Sequence, residues 1–189
     1  NGGAIFNSTS LTLTKCTISD SVADHGGAIT NEGLLRMDNC VISGNYAQVY
    51  GGGIDNFSGA AAIFGCNISG NEAEFGGGIE NSTGGELIID GCTITGNNAL
   101  SGGGVDSFSA ITQIINSTIS GNTAGFGAGV FNEKSEVSIS STTIVSNAAV
   151  TAVGGILTSS TSPIGTTVIN NTIVAGNTEA VDFPSDIAS

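Results

Sequence analysis

One motif recurs through almost the whole chain at intervals of 24 to 26 residues. Most copies contain a Gly-Gly-(Ala/Gly)-(Ile/Val) segment and, further along, a Cys/Ser/Thr-x-Ile-x-x-Asn segment. A fixed period in this range is typical of a solenoid, in which each coil buries its apolar residues only against its neighbours. The aliphatic residues that end the first segment are Ile5, Ile29, Ile54, Ile79, Val105, Val130 and Ile156, and those at the centre of the second are Ile18, Ile42, Ile68, Ile94, Ile119, Ile144 and Ile173.

Within each copy, apolar residues alternate with polar ones, as at Leu11 and Leu13 or at Leu87 and Ile89. This period of two is that of β-strands, whereas no stretch has the i, i+3, i+4, i+7 spacing of an amphipathic helix. Each coil is therefore predicted to hold three short strands: Gly-Gly-x-Ile-x-Asn, then x-Leu-x-Leu, then Cys-Thr-Ile-Ser. A coil of about 25 residues is too long for a two-sided solenoid but suits a three-sided one.

The predicted fold is all-β, a right-handed parallel β-helix that forms a three-sided solenoid of about seven coils of 24–26 residues. The solenoid is predicted to cover residues 1–180, and residues 181–189 are predicted to form a C-terminal tail that leaves the repeat. The chain begins within a copy of the motif and without Met, as a mature or excised fragment would.

Asparagine occupies equivalent positions after the third strand of six copies. Its side chain tolerates left-handed backbone and can bond to the coil above, so stacked amides form a ladder at a turn. This structural ladder is predicted at Asn45, Asn71, Asn97, Asn122, Asn147 and Asn177. A partial second ladder runs through Asn7, Asn31, Asn56, Asn81 and Asn132, and it is interrupted by Ser107 and Thr158.

The four cysteines occupy one column of four consecutive copies, and later copies place Ser117, Thr142 and Asn171 in that column. Neighbours in such a column lie about 4.8 Å apart, which is within the range that a disulfide permits. Two disulfides in an oxidising compartment are one interpretation. A column of buried thiols is the other, and the replacement by Ser and Thr favours it. The column consists of Cys16, Cys40, Cys66 and Cys92.

The composition excludes two classes of function. The chain has a formal net charge of -13, with 16 acidic and 3 Lys or Arg residues. Such a surface repels nucleic acid, because phosphate binding needs clustered basic side chains. No apolar run approaches the roughly 18 residues of a transmembrane helix, so no transmembrane segment is expected.

The residue after the first-strand aliphatic is predicted to face outward, and it is acidic in three consecutive coils, at Asp55, Glu80 and Asp106. Stacked like charges are costly unless they share a cation or retain a proton. The trio is therefore a candidate Ca²⁺ site, a candidate pair of glycosidase carboxylates, or a solvated acidic stripe. No other cofactor is predicted.

Polysaccharide cleavage on this fold would need a base beside the acids. Lys15, Arg36 and Lys134 all lie outside the acidic column, and His25, the single imidazole, precedes a Gly-Gly turn as a corner residue would. The chain is accordingly predicted not to be an enzyme.

The third strand presents a hydroxyl-rich outer face. Regular Thr ladders are what ice-binding solenoids use, although Ser and Thr also suit β-strands for their own reasons. The candidate binding face consists of Thr17, Thr93, Thr95, Thr118, Thr143 and Thr172.

The Gly2-Gly3-Ala4-Ile5 and Gly26-Gly27-Ala28-Ile29 segments resemble the GGAI half of the repeat in chlamydial polymorphic outer-membrane proteins. Segments such as Ile42-Ser43-Gly44-Asn45 resemble its FxxN half, with Ile in place of Phe. The resemblance covers essentially residues 1–177. It implies a right-handed β-helix, export to the bacterial cell surface, and a passenger, adhesive or structural role, and it brings no set of catalytic residues.

The predicted function is that of a non-catalytic extracellular structural or adhesive module of a secreted or cell-surface protein. Its expected partners are further copies stacked end to end into oligomers or filaments, a glycan, or a host or cell-surface protein. Two alternatives stay open: an ice-binding solenoid that uses the Thr face, and a carbohydrate-binding or polysaccharide-degrading β-helix that uses the acidic column.

Overall fold

The computed structural model describes residues 2–159, 165–179, 183–184 and 186–188. Within these residues the chain forms β-strands and no helix, and the strands stack in parallel as a β-solenoid. The first sheet contains β1 (Ile5–Asn7), β5 (Ile29–Asn31), β9 (Ile54–Phe57), β12 (Ile79–Ser82), β16 (Val105–Phe108), β20 (Val130–Glu133), β24 (Ile156–Thr158) and β29 (Ile187–Ala188). The second sheet contains β2 (Ser10–Thr14), β6 (Leu34–Asp38), β10 (Ala60–Phe64), β13 (Glu86–Asp90), β17 (Ile111–Ile115), β21 (Glu136–Ser140) and β25 (Thr166–Asn170).

The third sheet contains β3 (Thr17–Ser19), β7 (Val41–Ser43), β11 (Asn67–Ser69), β14 (Thr93–Thr95), β18 (Thr118–Ser120), β22 (Thr143–Val145) and β26 (Ile173–Ala175). The second and third sheets each stack seven strands, which confirms the predicted all-β repeat architecture. The handedness of the coil stays a prediction.

A shorter fourth run of strands, which the sequence did not predict, lies between the third sheet and the next pass through the first. It contains β4 (Val22–His25), β8 (Tyr46–Tyr50), β15 (Asn98–Ser101), β19 (Thr123–Phe126), β23 (Ala148–Ala152), β27 (Thr178–Glu179) and β28 (Phe183–Pro184). Between β8 and β15 the run is continued by single bridges through Glu72 and Phe75. We call this run the corner strands.

Columns of aliphatic side chains fill the interior. In the third sheet Ile42, Ile68 and Ile94 are in register and fully buried. Full burial of one such side chain contributes about 1.5–3 kcal/mol relative to exposure. Every coil adds several of these side chains, so burial of apolar area drives the stacking of coil on coil.

The predicted asparagine ladder is confirmed, and each amide makes the same set of bonds. In the coil of Asn71, its backbone N–H and its Nδ2 both donate to Oδ1 of Asn97, at 2.9 and 3.0 Å. Nδ2 of Asn71 also donates to the carbonyl oxygen of Ile42 in the preceding coil, at 3.1 Å. Each buried amide therefore ties three consecutive coils together.

The second ladder is also present. At Ser107, where the asparagine is missing, a side chain of the second sheet completes the hydrogen bonds. Nδ2 of Asn81 donates to Oγ1 of Thr112 at 2.9 Å, and that oxygen lies 2.8 Å from Oγ of Ser107. Thr112 occupies a fully buried position that Leu87 fills in the previous coil. Thr158 and Thr167 make the equivalent contact in the last coil, at 2.7 Å. A buried threonine thus replaces the missing amide, as burial of polar groups requires.

The cysteines are free thiols that act as hydrogen-bond acceptors for the corner before the third sheet. The backbone N–H of Cys40 donates to Sγ of Cys66 at 3.2 Å, and that of Cys66 donates to Sγ of Cys92 at 3.3 Å. The N–H of Cys92 then donates to Oγ of Ser117, at 3.1 Å. Cys, Ser and Thr share this column because each supplies one acceptor to the coil below.

The last coil departs from the predicted register in the third sheet. Ile144 pairs with Val174, and Thr143 pairs with Ile173. With Val174 directed inward, Asn177 follows three residues later, as each ladder asparagine does, and accepts from the N–H of Asn147 at 2.9 Å. The ladder therefore sets the register here.

Two predictions about this coil are wrong for that reason. Thr172 does not lie on the outer Thr face, since its place there is taken by Ile173. Its hydroxyl instead accepts the N–H of Thr142 at 3.4 Å, in the cysteine column position that was predicted for Asn171.

The described part of the C-terminal tail pairs with strands of the last two coils. β28 pairs antiparallel with β27, and β29 pairs parallel with β24. Oδ1 of Asp186 accepts both the backbone N–H and the Nδ2 of Asn177, at 3.1 and 3.0 Å. Asp186 thus stands where the next ladder asparagine would be, and it ends the ladder.

The ladder predicts a large cost for removing one amide. Asn97→Ala would leave the buried N–H and Nδ2 of Asn71 without their acceptor, and each unsatisfied group costs about 1–3 kcal/mol. We expect the free energy of unfolding in urea to fall by about 3 kcal/mol or more. The exposed neighbour Asn98 is the matched control, and Asn98→Ala should change stability by less than about 1 kcal/mol. Equal effects of the two variants would contradict the role of the ladder.

The cysteine column predicts that stability depends on a hydrogen-bond acceptor at these positions more than on the sulfur atom itself. Cys66→Ser keeps an acceptor for the N–H of Cys40, whereas Cys66→Ala leaves that buried donor unsatisfied. We expect the alanine variant to be about 1–3 kcal/mol less stable than the serine variant in urea unfolding. An alanine variant as stable as the serine variant would show that the thiols only fill space.

Candidate functional site

The acidic trio is buried, which corrects the prediction of a solvated outer column. Asp55, Glu80 and Asp106 stack in register on β9, β12 and β16, and their exposed fractions are 1%, 2% and 3%. They lie on the outer side of the first sheet, next to inward-facing aliphatic residues. Their burial therefore comes from a second layer that lies over the sheet.

The end of each corner strand supplies that layer. In the coil of Glu80, Phe75 precedes a tight turn at Gly76, where φ is 63°. A Cβ at Gly76 would lie 2.6 Å from the backbone N of Glu80, so only glycine allows the turn to close this tightly. The chain consequently folds back, and the residue five positions earlier lies beside the acid. Ser101 shows this placement directly, because its Oγ donates to Oδ2 of Asp106.

The three acids differ in their partners. Oδ2 of Asp55 lies 3.6 Å from Nδ1 of His25, and Asp106 accepts the Ser101 hydroxyl. Oε2 of Glu80 is buried and has no hydrogen-bond partner, and neither has Oδ2 of Asp55, whose contact with His25 is longer than a hydrogen bond. An unsatisfied buried carboxyl oxygen is uncommon and requires an explanation.

Burial raises the pKa of all three carboxyl groups. Desolvation raises the pKa of Asp55 to about 6, against the opposing effect of His25, and raises that of Asp106 to about 7, against the opposing bond from Ser101. Desolvation raises the pKa of Glu80 well above its usual range, and repulsion from Asp106 and Asp55 adds to the effect. Glu80 therefore keeps its proton to a higher pH than an ordinary glutamate does.

Aromatic rings form two walls above Glu80. On the corner-strand side, the rings of Tyr50 and Phe75 stack with centroids 5.5 Å apart. On the other side, Phe57 and Phe108 lie one strand before and one strand after Ser82. The small Ser82 side chain leaves a gap between these two rings.

The gap opens a cavity of about 280 Å³, which we call the Glu80 cleft. Phe131 closes one end of it, beyond Asp106. Asp55 lines a separate cavity of about 210 Å³ beside His25, and Phe57 stands between the two cavities. Glu80 and Asp106 thus face one space and Asp55 faces another.

The Ca²⁺ interpretation does not fit this geometry. Among the described residues, no three His, Cys, Asp or Glu side chains are grouped so that they could hold a metal ion. Ca²⁺ takes six to eight oxygen ligands around one point. Asp55, Glu80 and Asp106 instead follow one another along the solenoid, and Asp55 opens into a different cavity from Glu80 and Asp106.

The Thr face of the third sheet is narrower than predicted. Thr93, Thr118 and Thr143 pair in consecutive strands, and Thr95 lies beside Thr93. Asn67 and Val41 separate this group from Thr17. Only three consecutive strands therefore present threonine in one column.

Sequence reasoning missed the aromatic walls. The signal was the residue before each Gly-Gly turn, which is His25, Tyr50, Phe75, Ser101 or Phe126 in successive coils. A column of rings one turn away from an acidic column indicates a covered acidic site. The turn itself was predicted, but not the fold-back that it produces.

Scans against protein-family models, curated proteins and solved structures found no match to this chain. The resemblance of the repeat to that of the chlamydial surface proteins therefore stays a prediction.

The buried acids predict that stability falls as pH rises. Because folding raises their pKa values, the folded chain holds more protons than the unfolded chain above about pH 4. Each group then lowers the free energy of unfolding by about 1.4 kcal/mol per pH unit until its folded pKa is reached. Glu80→Gln removes one such group, so we expect its stability advantage over the wild type to grow between about pH 5 and pH 8.

The matched control is Asp24→Asn, which removes one charge from an exposed position. Its difference from the wild type should stay nearly constant over the same range of pH. Urea unfolding at several pH values measures both variants, and a Glu80→Gln advantage that does not grow with pH would contradict the burial of Glu80 in its protonated form.

Proposed function

We propose that this chain is a non-catalytic binding module of a secreted or cell-surface protein, in which a rigid β-solenoid presents the Glu80 cleft to a ligand. The observation that supports the proposal most strongly is the unpaired, buried carboxyl oxygen of Glu80 beneath four aromatic rings. A ligand group that reached this oxygen would remove its unsatisfied state. Small-molecule sites are typically concave and mostly apolar, with a few polar groups that fix orientation.

The cleft is held by paired strands and backbone bridges. Its floor and one wall lie on paired strands of the first sheet, and the other wall is tied by bridges between corner residues. The ladders fix the spacing of these coils. The site is therefore preformed, which lowers the entropic cost of binding.

The placement of the acids favours binding over polysaccharide cleavage. Glycosidases use an acid together with an ionised partner on either side of one bond. Glu80 and Asp106 share the cleft but both have raised pKa values, and Asp55, which ionises most readily, opens into the other cavity. Below about pH 7 the Glu80 cleft therefore lacks the ionised carboxylate that a glycosidase needs beside its acid.

Because of its repeat, we propose that the protein is exported, and the cleft does not bear on this point. The described residues contain no helix that is long and apolar enough to span a bilayer. The GGAI-type repeat resembles that of bacterial surface proteins, and an adhesive role at that surface requires a site for a ligand of another molecule. We do not propose assembly through the last coil, because Asp186 already bonds to Asn177 there and β29 already pairs with β24. Stacking of copies through the first coil stays a prediction.

A binding screen tests the proposal. We expect at least one probe from a panel of simple alkylamines, quaternary ammonium salts and methyl glycosides to shift amide resonances of β9, β12 and β16 in the ¹⁵N-labelled chain. Ser82→Leu should abolish these shifts, because a leucine fills the gap between Phe57 and Phe108. Ser138→Leu, on the exposed face of the second sheet, is the matched control and should leave them unchanged.

Two results would contradict the proposal. One is a panel in which no probe shifts the cleft amides at millimolar concentration. The other is release of new reducing ends or unsaturated products from acidic polysaccharides by the wild-type chain, with loss of that activity in Glu80→Gln, which would make the module an enzyme.

A further inference from the structure

The Glu80 cleft has the two elements that recognise an organic cation, namely ring faces and a buried acid. The ring of Tyr50 stacks on that of Phe75, and Phe57 and Phe108 flank the gap on the opposite wall. Between 36% and 41% of the surface of Tyr50, Phe57 and Phe108 is exposed. These rings are not needed to complete the core, so their exposed surface can contact a ligand.

We propose that the Glu80 cleft binds a methylated or quaternary ammonium group, with the four rings around its methyl groups and the Glu80 carboxylate as its counter-charge. This inference rests on the proposed function and names the chemical class of its ligand. The face of an aromatic ring carries a negative quadrupole, and cages of such rings recognise quaternary ammonium ions. The floor of the cleft supplies the charge that such a cation needs.

The acids around the cleft outnumber the basic side chains and favour a cation. Asp106 and Asp55 flank Glu80 on the first sheet, and Glu133 lies on the wall beyond Phe108. Two basic side chains are near this group of acids. Lys134 lies 3.3 Å from Glu133 and 5.0 Å from the centre of the Phe108 ring, and His25 lies beside Asp55 in the neighbouring cavity.

Other ligand classes fit less well. A metal ion needs more oxygen ligands than Glu80 and Asp106 supply. An anion would meet two carboxyl groups on the floor. A sugar needs several fixed donors and acceptors, whereas Ser101 is already used by Asp106, and the walls are mainly rings. A trimethylammonium group places apolar methyl groups against the rings and loses little hydration on burial.

The size of the cleft agrees with a single cationic head group. A volume of about 280 Å³ is at the lower limit of ordinary small-molecule sites. It accommodates one trimethylammonium group with a short substituent, but not a chain of several sugars. The rest of such a ligand would extend past Thr83, which is exposed at the rim.

Binding of the cation is coupled to loss of a proton. In the free chain the burial and the neighbouring acids keep Glu80 protonated. When the ammonium group enters, the O–H bond of the Glu80 carboxyl breaks, its electron pair stays on the oxygen, and the proton passes to the buffer. Affinity should therefore rise by about tenfold per pH unit for one proton released. Asp106 and Asp55 also ionise in this range, and their new charges act in the same direction.

Choline and its neutral isostere 3,3-dimethyl-1-butanol test this inference. Isothermal titration of the wild-type chain at about pH 6, 7 and 8 should give choline binding that strengthens with pH, and binding of the neutral alcohol at least tenfold weaker at pH 8. Titrations in buffers of different ionisation enthalpy should show about one proton released per choline bound. Glu80→Gln should weaken choline binding at least tenfold and leave the binding of the alcohol unchanged.

Two further variants keep the test decisive. Phe75→Leu removes one ring face and should weaken choline binding severalfold more than that of the alcohol, even if Glu80→Gln fails to fold. Asp24→Asn removes an exposed charge and should have no effect on either ligand beyond a factor of about two.

The outcomes separate the two proposals. Equal affinity for choline and the alcohol, or choline binding that does not depend on pH or on Glu80, would overturn the ammonium site. Binding of a methyl glycoside in the cleft without choline would overturn the ammonium site and leave the binding module in place. Absence of any shift at the cleft amides with all probes would overturn both.

Discussion

The hydrogen bonds that corner residues make to the next coil are the interaction on which the rest of the structure depends. At a corner, the backbone turns away from the sheet, and its N–H groups lose the carbonyl partners that a strand provides. Side chains of the next coil replace them: Oδ1 of Asn71 accepts from Asn45, and Sγ of Cys66 accepts from Cys40. Oγ of Ser135 does the same for Ala110 at another corner, at 3.0 Å. Each coil is thereby fixed in register on its neighbour.

Fixed register has opposite consequences for different columns. Amides stacked on amides satisfy one another, and aliphatic side chains stacked on one another fill the core. Acids stacked at the spacing of about 4.8 Å repel when ionised. The corner strands cover this column and exclude water from it, which raises the pKa of each acid and favours its protonated form. The Glu80 cleft exists because one small residue, Ser82, interrupts the layer of rings above Glu80.

The repeat was enough to predict the strands, the ladders and the columns, because each depends on residues within one coil and on a fixed period. It was not enough to predict how the corner folds over the first sheet, since this depends on the left-handed turn at Gly76 and on contacts with the neighbouring wall. Thr112 shows the same limit. In the sequence, Thr112 is a polar residue in an apolar column. Its role as a hydrogen-bond partner is evident only in the structure, where it lies beside Ser107. The register of Ile173 was missed because two adjacent aliphatic residues, Ile173 and Val174, fit the pattern equally well.

The protonation of Glu80 is the property that joins the fold to the proposed site. A ¹³C NMR titration of the glutamate side-chain carboxyl carbons measures it directly, with the Glu80 signal assigned from Glu80→Gln. Burial of an unpaired carboxyl in an acidic column predicts that this signal stays at the position of the protonated acid well above about pH 4.3, the midpoint of an unperturbed glutamate. A Glu80 midpoint at about that ordinary value would contradict both the covered column and the site built on it.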